Sequence, residues 1–228
     1  MASHESWVFR RGLLWTAELA TRPSRTASAR IPVEYCQIRG GDAGQLIAAA
    51  CQHDPISPHA LLKRFERGRQ CFAAWVDGCI ATYGWVTHGS EWVGEFEREL
   101  QVQDGEAYIW DCATLPKYRN QRLFSGMLSY VITHLWQQGL ERVWIIGLAV
   151  PLPILQGVTA AGFDPLVRLT YLRLLDKRIL LTTPFLGVPH DQLSAARRLL
   201  TSEKDRAFGA LIVGNSRRPT LPDTHYIK

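Results

Sequence analysis

The chain has 228 residues, 46% of them hydrophobic and 21% charged. That balance excludes a wholly disordered or fibrous protein, and the length lets a core form without disulfide staples. A net charge of +5 and a pI near 9.1 favour an anionic ligand or partner.

Residues 7–20 are aromatic and aliphatic and read as an added strand, followed by the small, basic linker TRPSRTASAR. The stretch IPVEYCQIR predicts a strand. Asp42 caps a helix over residues 43–52, and Pro58 opens a second one that Gly68 closes. In CFAAWVDGCIATYGWVTH, Asp77-Gly78 between two apolar runs predicts a hairpin. The charged stretch EFERELQVQDGEA separates that hairpin from the strand AYIWDCATL, which Pro116 ends. Leu123, Phe124, Met127, Leu128, Val131, Ile132, Leu135 and Trp136 recur at helical spacing, with Gly139 as the stop. RVWIIGLAV reads as a central strand covered on both faces. A short helix in PILQGVTAAGF, a strand in VRLTYLRLL and a helix in HDQLSAARRLL complete the order, and RRPTLPDTHYIK reads as loose.

These elements predict an α/β (α+β) fold: a mixed central sheet, flanked by helices, with an antiparallel meander followed by a βαβ crossover. The expected organisation is an N-terminal extension over residues 1–30, a domain over 31–178, and a C-terminal helix and tail over 179–228. Residues 143–163 carry no charge for 21 residues, but Pro151, Pro153 and three glycines break any spanning helix, so no membrane association is expected. Glu18 interrupts the short N-terminal apolar stretch, which therefore does not read as a signal peptide. Cysteines 36, 51, 71, 79 and 112 form no CxxC, so reduced thiols, a cytoplasmic location and no metal site are expected.

The informative unit is AYIWDCATLPKYRNQRLFSGMLSYVITHL: strand, proline, short basic loop, long amphipathic helix. A helix N-terminus offers unpaired N–H groups and a positive dipole end, which suit a phosphate or pyrophosphate. Arg119 and Arg122 add positive charge at that end. Cys112 has no nearby His in sequence and does not read as a nucleophile, and Ser125-Gly126 lacks a GxSxG frame. Asp111, between Trp110 and Cys112, is a carboxylate within an apolar strand and needs a partner or a cleft. Tyr83, Trp85 and Trp92 read as core packing or as one side of a cleft.

The segment resembles the cofactor-binding core of the GCN5-related N-acetyltransferase (GNAT) superfamily. That family's loop, Arg/Gln-x-x-Gly-x-Gly/Ala, stands here as Arg119-Asn120-Gln121-Arg122-Leu123-Phe124. Element order agrees from about residue 33 to 175, and AAGF at Ala160–Phe163 resembles the turn after the family's last helix. The resemblance implies an N-acyltransferase that uses acetyl-CoA or another acyl-CoA as co-substrate. It places pantetheine along Cys112, Ala113 and Thr114, and the pyrophosphate at Arg119, Asn120, Gln121, Arg122, Leu123, Phe124 and Ser125. The acceptor would be a primary amine on a small molecule or peptide, with the segment 91–106 bordering its site. Glu106, thirteen residues before Arg119, resembles the catalytic glutamate of the histone-acetyltransferase branch, and Asp111 is the second candidate base. A homodimer is compatible with the resemblance, and nucleic acid is not expected as a partner.

The chain departs from the family at four places. Arg122 and Phe124 stand where glycine is preferred. Pro151 and Val158 stand where the family often has an Asn and, seven residues on, the Tyr that protonates the leaving thiolate. Those departures favour the alternative of a degenerate GNAT fold that binds a ligand or protein without catalysis.

Overall fold

Asp77 and Gly78 both adopt left-handed backbone (φ 49° and 72°), the conformation a two-residue hairpin turn demands. They join β3 (Gln70–Val76) to β4 (Cys79–Thr87), the hairpin around which the sheet builds. The computed structural model describes residues 7–21, 23–51, 57–148, 152–174 and 177–201.

The other sheet strands are β1 (Trp7–Glu18), β2 (Glu34–Gln37), β7 (Glu106–Thr114), β8 (Arg142–Leu148), β9 (Asp164–Leu174) and β10 (Lys177–Pro184). Their order is β10-β9-β1-β8-β7-β4-β3-β2. Among the described strands, β7 and β8 alone pair in parallel. A separate two-stranded ribbon, β5 (Glu91–Val93) with β6 (Arg98–Leu100), follows the hairpin. The helices are α1 (Ala43–Cys51), α2 (Pro58–Glu66), α3 (Leu123–Gln137), α4 (Leu152–Ala160) and α5 (His190–Leu200).

Two layers of helices cover the sheet. On one face α3 presents Met127, Leu128, Val131 and Ile132 to Phe72, Ile109, Val143 and Ile145, and Val158 of α4 joins them. On the other, α1 packs Leu46 and Ala50 against Cys71, Tyr83 and Trp85. Leu199 and Leu200 of α5 pack with Tyr108, Trp144 and Tyr171. Each large apolar side chain so buried contributes roughly 1.5–3 kcal/mol.

The mixed sheet, the 77–78 hairpin, α3 and the crossover to β8 follow the sequence reading. Several assignments differ. Residues 7–18 form an interior strand, hydrogen-bonded to β8 on one side and β9 on the other, so they share the sheet of the 31–178 span. β10 runs from 177 to 184, across the expected boundary at 178 and over residues with no strand pattern of their own. The predicted strand IPVEYCQIR pairs with β3 only over Glu34–Gln37. The charged stretch after the first hairpin contains β6, whose Arg98 is buried and donates to the carbonyl of Leu200 at 2.8 Å. Residues 217–228, read as loose, and Pro151 lie outside the described residues. No described helix is long and apolar enough to cross a membrane.

Candidate active site

The parallel ladder between β7 and β8 runs from Glu106↔Arg142 to Ile109↔Ile145 and goes no further. The interruption has a local cause. Trp85 of β4 faces Trp110, yet Tyr83 faces Ala113, so β7 carries one extra residue there. Asp111 takes up that residue in left-handed backbone, φ 44°. The bulge is packed tightly from behind: a Cβ on Gly84 would lie 2.7 Å from the Cys112 Sγ and 2.9 Å from the Met127 Cε. Glycine at 84 therefore permits the approach of Cys112.

Two grooves open at the parted ends. The larger, about 1130 Å³, runs along Cys112, Ala113 and Thr114 to the loop before α3 and across to α4. In that loop Asn120 (φ 64°) and Arg122 (φ 56°) are left-handed. Arg122 is the N-cap of α3 and makes no side-chain capping bond. The first intrahelical amide bond is donated by Gly126 to the carbonyl of Arg122. The amides of Leu123, Phe124 and Ser125 thus stand at the open, positive end of a 15-residue helix. The groove is also lined by the guanidinium residues Arg119 and Arg122.

A third arginine comes from the N-terminal linker. The Arg30 amide donates to the carbonyl of Gln121 (2.9 Å), and its side chain donates to the carbonyl of Asn120 (3.3 Å). The Ala27 amide donates to the Ser129 hydroxyl of α3 (2.8 Å), and Arg25 pairs with Asp164 (2.7 Å). This strap makes Thr26, Ser28 and Arg30 part of the groove wall. The only sequence signal for it was a small, basic composition.

The sequence-predicted binding residues are brought together with one exception. Cys112, Ala113, Thr114, Arg119, Asn120, Arg122, Leu123, Phe124 and Ser125 all line the groove, whereas Gln121 turns its carbonyl to the strap. The position of Arg122 has a physical reason to favour glycine, because its backbone is left-handed. Burial, and secondarily Asp111, pushes the Cys112 thiol well above its ordinary pKa, so it contributes wall and not a thiolate. Val158, at the place of the family's tyrosine, is buried in the core under α4.

The smaller groove, about 440 Å³, lies beside the first; Trp110, Asp111 and Ile146 line both. Its wall carries Tyr83, Tyr108, Glu91, Trp92 and Glu95. Arg64 of α2 pairs with Asp111 and stacks over the rings of Trp85 (5.0 Å) and Trp110 (4.6 Å). Glu91 accepts from Arg69 Nε at 2.9 Å. The segment 91–106 was expected at an acceptor site as an insertion between strands; Arg64 and Tyr108 carried no such signal.

Glu106 is placed elsewhere. It lines neither groove. It sits at the closed end of the β7–β8 ladder, 6% exposed, and accepts from Trp144 Nε1 (2.7 Å) and Arg142 Nη1 (3.0 Å). Arg142 also donates to both carboxylate oxygens of Glu18 on β1, at 2.7 and 2.9 Å. The offset from Arg119 fixed its place on the strand but not these partners. Asp111, by contrast, stands exposed at the junction of the grooves.

Residues 44–152 match the Acetyltransferase (GNAT) family. No curated protein matches the sequence. Among solved structures, a GNAT-family acetyltransferase from Novosphingobium aromaticivorans is similar at 16% identity and a TM-score of 0.51, over 75% of this chain and 67% of that one. One from Colwellia psychrerythraea gives 16% and 0.51, over 72% and 56%. A GCN5-related N-acetyltransferase from Sphaerobacter thermophilus gives 15% and 0.53, over 72% and 50%. The chain thus spans between half and two thirds of these relatives' length, and at this identity the likeness is one of fold.

Proposed function

From the match of residues 44–152 to the Acetyltransferase (GNAT) family, we propose that this protein is an acyl-CoA-dependent N-acyltransferase, most simply an acetyltransferase, acting on a primary amine. The observation that carries the reading is the pair of grooves meeting at Trp110, Asp111 and Ile146, one basic and rich in free amides, the other lined by carboxylates and aromatics.

The larger groove fits CoA by its donors. The amides of Leu123, Phe124 and Ser125, with Arg30, Arg119 and Arg122, would hold the phosphates. The parted edge of β7 at Cys112–Thr114 would hold the pantetheine arm by its backbone. Bound so, CoA supplies an activated acyl thioester. An amine in the smaller groove arrives protonated at neutral pH and must lose a proton before it can attack. Asp111 would accept that proton, directly or through one water, because it alone among the carboxylates of the smaller groove also lines the larger one. Arg64, stacked on two indoles, holds the Asp111 carboxylate in place.

A second reading keeps the fold and drops the chemistry. It is favoured by Val158, which lines the larger groove with an aliphatic side chain that has no proton to donate. One experiment separates the two. Acetyl-CoA at a hundredfold excess over its Kd should raise stability by ~2.7 kcal/mol. Arg119→Ala with Arg122→Ala should weaken that binding, each lost charge-assisted contact costing roughly 1.5–3 kcal/mol. Thiol release is then followed across polyamines, amino sugars, aryl amines and peptide N-termini. Release with any of these supports the enzyme; binding with no release across the panel supports the non-catalytic reading.

A further inference from the structure

The smaller groove is built for a cation, although the chain as a whole is basic at +5. Three carboxylates line it, on Glu91, Glu95 and Asp111, against one guanidinium, that of Arg64. Two of the carboxylates already have partners: Asp111 has Arg64, and Glu91 has Arg69. Glu95 forms no ion pair with any described residue and is exposed. The groove therefore retains the uncompensated negative charge of Glu95 at its rim, which repels an anionic acceptor while Arg64 is engaged by Asp111.

The same wall carries flat apolar surface, exposed to solvent at Trp92. Trp92 is 58% exposed on the short β5–β6 ribbon, an indole held in water beside the groove. Trp110 lines the inner end, and its Nε1 is buried without a hydrogen-bond acceptor. Tyr108 is 3% exposed and lines the groove. Burial first, and then the charges of Glu95, Cys112 and Glu91, push its phenol well above the ordinary value, so it remains a proton-bearing donor.

We propose that the smaller groove takes a small organic cation, a primary amine carried on a flat or apolar body that packs against Trp92 while its charge faces Glu95 and Asp111. Amines bearing a carboxylate or phosphate near the nitrogen are excluded. A cation over an indole gains from the ring's quadrupole as well as from the carboxylates. The volume of about 440 Å³ suits a small molecule. This specificity rests on reading the groove as the acceptor site.

Binding can be tested apart from catalysis. Benzyltrimethylammonium has the charge and the ring but cannot accept an acyl group; benzoate has the ring with the opposite charge. Calorimetric titration of each into the full chain, without CoA, reads the groove alone. The cation should bind, and benzoate at least tenfold more weakly. Trp92→Ala and Glu95→Gln, both at exposed positions that leave folding intact, should each weaken the cation by about tenfold. Benzoate binding as tightly as the cation, cation affinity unchanged in both variants, or no cation binding at millimolar concentration would each overturn the inference. A chain that binds the cation as described but takes up no acetyl-CoA would instead overturn the acyltransferase reading and leave this one standing.

Discussion

The two ends of the β7–β8 pair carry the same functional group in opposite circumstances. At the closed end, Glu106 is buried and fully engaged, and through Arg142 it ties β7, β8 and β1 together. At the open end, five residues along the same strand, Asp111 sits on a bulge in left-handed backbone, exposed, with Arg64 as its ion-pair partner. A buried, saturated carboxylate is a structural tie whose removal strands its partners. An exposed one at a groove junction is free to exchange a proton with a ligand. Chemical type and strand position did not distinguish them; the partners did.

The contrast breaks first at Glu106. Glu106→Ala leaves the Arg142 guanidinium and the Trp144 N–H without their acceptor, and should cost roughly 3–5 kcal/mol in denaturant unfolding. The folded fraction should still bind acetyl-CoA. If the variant keeps its stability and loses acyl transfer, the assignments of the two carboxylates are reversed.

Asp111→Asn is the complementary change. Asparagine tolerates left-handed backbone, so stability should stay within about 0.5 kcal/mol. Acyl transfer should fall about a hundredfold, the scale of a positioned general base. Steady-state kinetics beside a denaturation curve decides it.

Gly84→Ala probes the packing behind the bulge. Its Cβ would stand 2.7 Å from the Cys112 Sγ, so overpacking should cost roughly 1–3 kcal/mol. Combining it with Cys112→Ala should recover part of that loss, and a double-mutant cycle measures how much. The smallest effect belongs to the loop: Arg122→Gly relieves a left-handed non-glycine residue and should raise unliganded stability by up to ~1 kcal/mol, read by thermal unfolding.

What the sequence revealed follows the range of the signals. α3 announced itself because its apolar stripe and Gly139 are local, and the hairpin because Asp77-Gly78 is a two-residue code. The groove residues from Cys112 to Ser125 were legible for the same reason: strand, proline, loop and helix are contiguous. Long-range partners were not. β1 inserts between β8 and β9 through pairings more than a hundred residues apart. The strap's hold on α3 through Ala27 and Ser129 spans 102 residues, and Glu106 meets Arg142 across 36. β10, KRILLTTP, does not alternate apolar with polar residues, so nothing local marks it as a strand without β9 beside it.

If the open end of β7–β8 and the first turn of α3 hold acyl-CoA, amide hydrogen exchange with and without acetyl-CoA reads the contact residue by residue. Protection should rise at Cys112–Thr114 and at Leu123–Ser125, while Glu106–Ile109, already bonded to β8, should stay unchanged. Exchange at both groove segments that is indifferent to saturating acetyl-CoA would contradict the account.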